Sequence, residues 1–525
     1  MEKEFNDTGV CVPSRHYMVN TSDKIKSIIQ LIEKGKYFTI SRPRQFGKTT
    51  TLQLLSSQLN LIDKYLTLNI SFEGTGDSFF ANEQVFCPGL LRIIARTLRF
   101  SNPEIYEYLL PASRQVHNFE ELSQFISQYV LEMNKHVVLF IDEVDKSSDN
   151  QIFLHFLGML RNKYLLRDTG RDYTFHSVIL AGVHDIKTLK AKIRPDDDRK
   201  YNSPWNIAAD FNVDLSFAPH EIETMLEDYS RKKNIVPDIA AIAEKLYYYT
   251  SGYPWLVSKL CKFIDEDIAA KREEKNWTTD DIETAFKMIT DESYTSTLFD
   301  SLAKNLENNR KLYDLVSRIS INGASFPFTI SDPVISLGSL YGILVPAEQG
   351  RCRIHNRIFE QRIYAHIMSR LLQTRYAELD NFGIPEFYTD KGLDIKMIML
   401  RFQAFMKEHY SKKDARFLEC EGRLLFLSYL RPIINGKGFD FKEPNVSDER
   451  RMDIVITYRD QRFVIELKIW HGQKYHEKGL KQLSNYLDMY SLKQGYLLIY
   501  DFNQNKEYRQ EQIVFEDKEI FAVWV

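Results

Sequence analysis

Short apolar runs alternate with amphipathic stretches over the first two hundred residues of the chain. The apolar runs have the length of buried strands, and they are Tyr37–Ser41, Leu66–Phe72, His136–Ile141 and Ser177–Gly182. Between them, Thr50–Leu61 and Glu120–Met133 have the period of amphipathic helices. Strands that alternate with helices predict a parallel α/β sheet, and Val213–Phe217 is predicted to be one more short strand that closes it.

The pattern becomes helical after Pro219. Residues 221–304 keep a helical period that is interrupted at Ser251-Gly252-Tyr253-Pro254, where glycine followed by proline predicts that one helix stops and another begins. Over 305–375, helices precede two short strands, Leu344–Pro346 and Cys352–His355, and a last helix follows. This order predicts a winged-helix-like module.

The C-terminal third of the chain returns to helices and strands in a different order. A Gly- and Asp-rich stretch over 376–394 predicts a linker. From 395 to 525 the pattern is helix, helix, hairpin, helix, strand, which predicts a second α/β domain. The predicted fold class is therefore a multidomain α/β chain with a helical segment and a winged-helix-like module between two sheets.

Composition narrows the class of protein. At about 150 residues per domain, 525 residues suggest three to four domains. A hydrophobic fraction of 44% argues against disorder, and a net charge of -3 means that any nucleic-acid binding must come from a local basic patch. The five scattered cysteines favour a reducing compartment. No apolar run reaches the ~18 residues of a membrane span, and the polar N-terminus shows no signal peptide, so we expect a cytoplasmic protein without a membrane partner.

A candidate phosphate loop follows the first strand. There the chain reads Arg42-Pro43-Arg44-Gln45-Phe46-Gly47-Lys48-Thr49-Thr50 before a helix begins. Backbone N–H groups from Arg44 to Thr50 are predicted to wrap phosphate, with Lys48 on the β- and γ-phosphates and the Thr49 hydroxyl on Mg²⁺. Arg42 replaces the first glycine of the pattern G-x-x-x-x-G-K-[ST], and Gly-Lys-Thr by itself also suits a solvated loop before a helix.

An acidic pair supplies the second half of this site. The apolar strand that begins at His136 ends in Asp142 and Glu143. Asp142 is predicted to lie in the coordination shell of Mg²⁺, and Glu143 is predicted to orient or deprotonate the attacking water. An ordinary acidic turn is the alternative for the pair alone. Both elements occur in the expected order at the ends of strands, and together they predict a site for ATP and Mg²⁺.

The segment Ser41–Thr49 resembles the phosphate loop of the predicted AAA-type ATPases of prokaryotes, which are related to archaeal-type and signal-transducing (STAND) ATPases. Gly252-Tyr253-Pro254 resembles their helical lid, which implies that Pro254 packs near the adenine base. These families also place a winged helix behind the lid. The chain departs from them after the fourth strand, where no arginine follows directly. His355 is interpreted as a satisfied histidine rather than a nucleotide sensor.

Two carboxylates and a lysine mark the C-terminal domain. Asp453 begins one strand of a predicted hairpin, and Glu466 and Lys468 share a face of the other because side chains alternate. Converging charges on a half-buried sheet are costly unless they serve a function. Asp453 and Glu466 offer hard oxygen ligands to Mg²⁺, with Mn²⁺ as a substitute, and Lys468 is predicted to orient water or stabilise the transition state.

This arrangement resembles the PD-(D/E)XK nucleases, with Met452 in place of the proline. The resemblance implies that Glu421 on the preceding helix is a third acidic metal ligand. It also implies a catalytic role for Gln482, which with Tyr486 resembles the Q-x-x-x-Y of RecB-like members. The lysines that line this helix region are predicted to track phosphates locally, and they are Lys474, Lys478 and Lys481.

Together these features predict a P-loop AAA-like ATPase domain (1–220), a helical lid (221–304), a winged helix (305–375), a linker (376–394) and a PD-(D/E)XK nuclease-like domain (395–525). We expect ATP binding or hydrolysis to control a nuclease that acts on nucleic acid, DNA rather than RNA. The family resemblance suggests prokaryotic defence or mobile-element biology, with a homo-oligomer and a protein or phage-derived trigger as further partners. The alternative is a nucleotide-switched regulatory or DNA-binding protein with a silent nuclease-like domain. A DNA motor ranks last.

Overall fold

The structure is a computed structural model of the chain. It describes residues 2–146, 150–183, 205–291, 293–322, 325–347, 350–375, 387–389, 392–409, 426, 429–430, 438–442, 454–458, 461–470, 472–501 and 507–525. These residues divide into two compact units. The first contains Met1–Leu298, Ser336–Leu344 and His355–Ile358, and the second contains Phe299–Ile335, Val345–Ile354 and Phe359–Val525.

A four-stranded parallel sheet forms the centre of the first unit. Its strands are β1 (Phe38–Ser41), β2 (Tyr65–Ser71), β3 (His136–Asp142) and β4 (Ser177–Gly182), in the order β1-β4-β3-β2. The strands are apolar and almost wholly buried because helices cover the sheet. Since all four run in one direction, the loops after β1 and β3 emerge at the same edge.

Six helices of the described residues accompany this sheet. They are α1 (Ser22–Glu33), α2 (Lys48–Leu59), α3 (Glu83–Leu98), α4 (Pro103–Ala112), α5 (Phe119–Met133) and α6 (Gln151–Asp168). Asparagine side chains cap α3, α5 and α6 by accepting a backbone N–H of the first turn. A continuous core joins the strands to α3, α5 and α6, with Phe86, Phe153 and Phe156 fully buried.

The predicted fifth strand at Val213–Phe217 is wrong. The structure has no strand there, and the edge of β1 instead meets a single parallel bridge between Phe38 and Ala209. The reason is that backbone groups of this segment have other partners. The Val213 carbonyl accepts from Arg42, and the Phe217 N–H donates to the carbonyl of Gly252 at 2.8 Å.

A helical segment follows the sheet. It consists of α7 (Pro219–Lys233), α8 (Ile239–Thr250), α9 (Pro254–Lys262), α10 (Thr279–Thr290) and α11 (Thr297–Glu307). The N-terminal residues pack on it: the Phe5 ring lies 5.1 Å from that of Tyr229 and 5.7 Å from that of Trp277. Asp7 pairs with Lys259 and Lys262 of α9 at 2.9 and 2.8 Å.

Two helices, a short hairpin and a long helix come next in the chain. They are α12 (Arg310–Asn322), α13 (Pro333–Leu340), β5 (Leu344–Pro346), β6 (Cys352–Ile354) and α14 (Arg357–Arg375). The element order is the one expected from the sequence, and the identification of these elements as a winged helix stays a prediction.

A six-stranded mixed sheet forms the C-terminal part of the second unit. Its order is β13-β14-β12-β11-β10-β9. The strands are β9 (Gly438–Lys442), β10 (Ile454–Tyr458), β11 (Gln461–Ile469), β12 (Gln494–Tyr500), β13 (Gln510–Phe515) and β14 (Lys518–Trp524). In the part of this domain that the structure describes, two helices accompany the sheet, α15 (Ile395–His409) and α16 (Gln473–Met489). A pair of two-residue strands precedes them, β7 (Tyr388–Thr389) with β8 (Gly392–Leu393).

The predicted fold class of two α/β sheets is confirmed. The strands that were not predicted from the sequence are β7 and β8, which lie within the predicted linker, and β9, β13 and β14. Among the described residues, no helix has the length and apolarity to cross a membrane.

Candidate functional sites

The loop between β1 and α2 has the backbone of a phosphate-binding turn. Gln45 and Gly47 both have a left-handed conformation, with φ of 56° and 80°. Gly47 has no side chain to oppose this, and α2 begins at the next residue, Lys48. Turns of this type direct successive N–H groups towards one point, where the N-terminus of the helix adds a favourable dipole for an anion.

Lys48 is enclosed by its own loop. The side chain is 6% exposed, and its ammonium group donates to the carbonyl oxygens of Arg42 and Pro43 at 2.9 Å each. Burial lowers the pKa of Lys48, and the charges of Glu143, Asp145 and Asp142 act in the opposite direction. The lysine therefore has carbonyl partners that phosphate oxygens could replace.

Arg42, which stands where the glycine of the pattern is expected, is accommodated by carbonyl groups nearby. Its guanidinium donates to the backbone oxygens of Ser41 at 2.8 Å and Val213 at 2.7 Å. Burial lowers its pKa. The substitution thus ties the start of the loop to the chain beyond the sheet.

The structure brings the predicted acidic pair to the loop. The Thr49 hydroxyl donates to Asp142 Oδ2 at 2.6 Å, and the Glu143 N–H donates to Asp142 Oδ1 at 2.9 Å. Glu143 has a left-handed φ of 53°. Burial, followed by the charge of Asp142, raises the pKa of Glu143. A hydroxyl and a carboxylate in contact are hard oxygen ligands, so Thr49 and Asp142 fit Mg²⁺.

An aromatic cluster from the helical segment covers the loop. Tyr253 is 1% exposed, and its hydroxyl donates to the carbonyl of Arg44. Its ring meets that of Phe46 edge-on at 4.8 Å and lies 5.5 Å from the ring of His355, which is also buried. Pro254, the predicted adenine contact, is buried at the first position of α9.

The contact between Tyr253 and the loop was not predicted from sequence, and neither was the close approach that supports it. Gly252 has a φ of 70°, and a Cβ atom there would lie 2.0 Å from the carbonyl oxygen of Phe217. Only glycine fits this position. The glycine before a proline in Ser251–Pro254 was the available signal, but it predicted a helix end and a resemblance to a lid, and not this contact.

Thr50 also has a partner that the sequence did not reveal. Its hydroxyl accepts the backbone N–H of Cys11 at 3.2 Å, so the N-terminal segment reaches the first turn of α2. Gln45 donates through Nε2 to the Thr297 hydroxyl at 3.1 Å. Arg44 is exposed.

The C-terminal sheet brings together three of the predicted nuclease residues. β11 pairs antiparallel with β10 and parallel with β12, which buries Glu466 completely and leaves Lys468 7% exposed. The Lys468 ammonium lies 2.5 Å from Glu466 Oε1 and donates to Gln482 Oε1 of α16 at 2.9 Å. A Cβ at Gly479 would lie 3.0 Å from Lys468 Cε, so this glycine gives the lysine its room.

Glu466 also has an unsatisfied oxygen. Among the described residues, no hydrogen-bond donor reaches Glu466 Oε2, although the side chain is fully buried. A buried carboxylate oxygen without a donor is costly, and a divalent cation would satisfy it. Glu466 therefore fits the metal-ligand role. Within the part of the chain that the structure describes, no cluster of three or more His, Cys, Asp or Glu residues could complete the metal site.

The other predicted nuclease ligands, Asp453 and Glu421, lie outside the described residues. On α16, Tyr486 is half-buried against the core, whereas Lys478 and Lys481 are exposed. The side chain of Lys474 is not among those described.

Comparison with known proteins identifies a family for each end of the chain. The AAA-like domain family matches residues 5–321, and the PD-(D/E)XK nuclease superfamily matches residues 438–512. No curated protein matches the chain.

Three solved structures illustrate what the chain is similar to. The Walker-type ATPase PABY2304 of Pyrococcus abyssi is 12% identical, with 68% of this chain and 99% of that chain covered and a TM-score of 0.47. The ORC2 protein of Aeropyrum pernix is 12% identical, with 71% and 98% covered and a TM-score of 0.40. The RuvB Holliday junction branch migration motor of Thermotoga maritima is 14% identical, with 64% and 92% covered and a TM-score of 0.34. Since the family match spans more than half of its length, the chain belongs to the AAA-like domain family, and it carries a PD-(D/E)XK nuclease superfamily domain behind the AAA-like domain.

Proposed function

We propose that this chain binds and hydrolyses ATP at the Lys48 loop, and that the state of the nucleotide controls a metal-dependent nuclease in the C-terminal domain. The observation that carries the proposal is the buried contact of Lys468 with Glu466 and Gln482, because charged groups are rarely buried together without a use. The match to the AAA-like family supports the ATP site.

At the ATP site each side chain has a distinct task. Lys48 exchanges the carbonyl oxygens of its loop for phosphate oxygens. Thr49 and Asp142 would hold Mg²⁺, which neutralises charge on the phosphates when it is bound. The raised pKa of Glu143 brings its proton affinity closer to neutral pH, as a general base requires, so Glu143 is suited to accept a proton from water.

At the nuclease site, Glu466 and the predicted ligands Asp453 and Glu421 would hold Mg²⁺ or Mn²⁺. The ion lowers the pKa of water and neutralises the scissile phosphate when it is bound. Lys468 supplies a positive charge beside the reacting phosphate, and Gln482 holds Lys468 in place through its side-chain oxygen.

The substrate we propose is nucleic acid, and DNA in particular. With a net charge of -3 the chain has no overall positive field, so binding relies on local groups such as Lys478 and Lys481, which are exposed on the same helix as Gln482. The resemblance to switch ATPases of prokaryotes extends the proposal to defence against invading DNA, with a protein or phage-derived trigger and a winged helix that transmits the nucleotide state.

Cleavage by the purified full chain tests this proposal. Plasmid and single-stranded DNA are incubated with Mg²⁺ or Mn²⁺, with and without ATP. We expect cleavage that changes with ATP and is lost in Lys468→Met, whereas the exposed Lys493→Met retains it. Lys48→Met should lose ATP hydrolysis, with the exposed Lys34→Met as its control.

Two results would contradict the proposal. Cleavage that survives in Lys468→Met would place the activity elsewhere or in a contaminant. DNA binding that depends on ATP, with no cleavage under any metal condition, would support the alternative of a regulatory DNA-binding protein whose nuclease-like domain is silent.

A further inference from the structure

The turn after β3 holds Glu143 in a conformation that needs support. Glu143 has a left-handed φ of 53°, which is unfavourable for a residue with a Cβ atom. The chain then forms a short helical turn over Val144–Lys146. A strained residue at the end of a strand keeps its direction only when its surroundings fix the residues that follow it.

Asp145 fixes the turn through a hydrogen bond. Its Oδ2 accepts the backbone N–H of Val183 at 2.6 Å. Val183 directly follows β4, and β4 is the parallel neighbour of β3 in the sheet. The hydrogen bond therefore ties the turn that contains Glu143 to the end of the adjacent strand.

Close packing also fixes the turn. Val144 is completely buried against Gly182, the last residue of β4. A Cβ atom at Gly182 would lie 2.8 Å from Val144 Cγ2 and 3.0 Å from Asp145 Oδ1. The turn thus rests on β4 through an apolar contact and a hydrogen bond, and the space between them admits only a hydrogen atom at residue 182.

We infer that Asp145 is a positioning residue for ATP hydrolysis, which sets the direction of the Glu143 carboxylate by anchoring its turn to Val183. The inference rests on the proposed ATPase function and adds a residue to it. Asp145 acts through Glu143, and its contact is with the end of β4. A shift at Val183 is thereby transmitted to Glu143 through the hydrogen bond to Asp145.

Steady-state ATP hydrolysis and ATP affinity of the full chain test this inference. Asp145→Ala removes the acceptor, and we expect kcat to fall ~10- to 100-fold, since a misplacement of about 1 Å in a catalytic group can cost 100-fold. The dissociation constant of a fluorescent ATP analogue should stay within about twofold. Asp145→Asn keeps an oxygen that accepts the Val183 N–H, and it should recover most of kcat.

A second variant and a second measurement distinguish the positioning role of Asp145 from a general distortion of the site. Gly182→Ala should lower kcat in the same way, because its Cβ displaces Val144 and Asp145. Hydrogen exchange at Val183 should accelerate in Asp145→Ala and return towards the wild-type rate in Asp145→Asn.

The experiment distinguishes a failure of the inference about Asp145 from a failure of the proposed ATPase function. A wild-type chain that hydrolyses no ATP overturns the proposed function and this role with it. If the wild type is active, any one of three results overturns the inference and leaves the proposed function standing. The kcat of Asp145→Ala is unchanged, Asp145→Asn is as slow as Asp145→Ala, or the loss of ATP affinity in Asp145→Ala equals the loss of kcat.

Discussion

Replacing Lys468 with methionine should destabilise the C-terminal sheet. The substitution keeps the length of the side chain but leaves the Glu466 carboxylate fully buried without its counter-charge. Breaking a buried ion pair in this way costs about 3–5 kcal/mol.

Hydrogen exchange of the peptide that contains β11 gives the local free energy of opening in the full chain. We expect Lys468→Met to lower it by about 3–5 kcal/mol. The double variant Glu466→Gln with Lys468→Met removes both charges and should recover most of the loss. The exposed Lys493→Met should change nothing. A loss below about 1 kcal/mol at pH 7, or a double variant as unstable as the single one, would refute the reasoning.

Three further predictions concern the first unit. Gly252→Ala should destabilise the helical segment by more than about 2 kcal/mol, seen as a lower unfolding midpoint, because its Cβ would overlap the Phe217 carbonyl. His136 and His176 share a hydrogen bond of 2.7 Å, and burial lowers the pKa of both, that of His176 to about 4. Because the unfolded chain takes up the proton at a higher pH than the folded chain, the free energy of unfolding should be at its full value above pH 6.5. It should fall by about 2 kcal/mol between pH 7 and pH 5, measured by denaturant titration. The fall should be smaller in His176→Gln. Asp7→Ala removes the shared partner of two lysines and should raise hydrogen exchange in α9, by an amount equivalent to about 1–2 kcal/mol.

The parts of the fold that could be predicted from sequence are those with strong local patterns. β3 and β4 are continuous apolar runs, and β4 has the predicted bounds Ser177–Gly182. The loop at Lys48 and the acidic pair after β3 could be placed at one sheet edge because parallel strands deliver their carboxyl ends there. The hydrogen bond between Thr49 and Asp142 is the local outcome of that topology.

The predicted strand at Val213–Phe217 shows where local pattern fails. Its apolar alternation suits a strand, but its backbone groups are occupied by the Arg42 side chain and by Gly252. Neither partner is near in sequence, so no local signal could reveal the competition. β13 was missed because it is largely exposed and lacks the apolar run that marks a buried strand.

Side-chain contacts over long sequence separations were also beyond prediction. The Tyr253 hydroxyl reaches the Arg44 carbonyl across 209 positions. Asp145 was not identified from the sequence, because the partner that gives it a role is a backbone N–H at the end of another strand. Sequence pattern identifies the charged groups, whereas the neighbouring strand determines what each group does.

At each candidate site the lysine contacts oxygen atoms of the protein itself, and at the C-terminal site this contact affects metal binding. The Lys468 ammonium lies 2.5 Å from Glu466 Oε1, so a cation that binds Glu466 is repelled by that charge and competes with it. If Glu466 is a metal ligand, Mg²⁺ should therefore stabilise Lys468→Met more than it stabilises the wild type. A ligand at a hundred times its dissociation constant adds about 2.7 kcal/mol, which hydrogen exchange of β11 with and without Mg²⁺ resolves. Equal effects of Mg²⁺ on the two proteins would show that the ion does not reach Glu466, and the unsatisfied oxygen at Oε2 would then need another explanation.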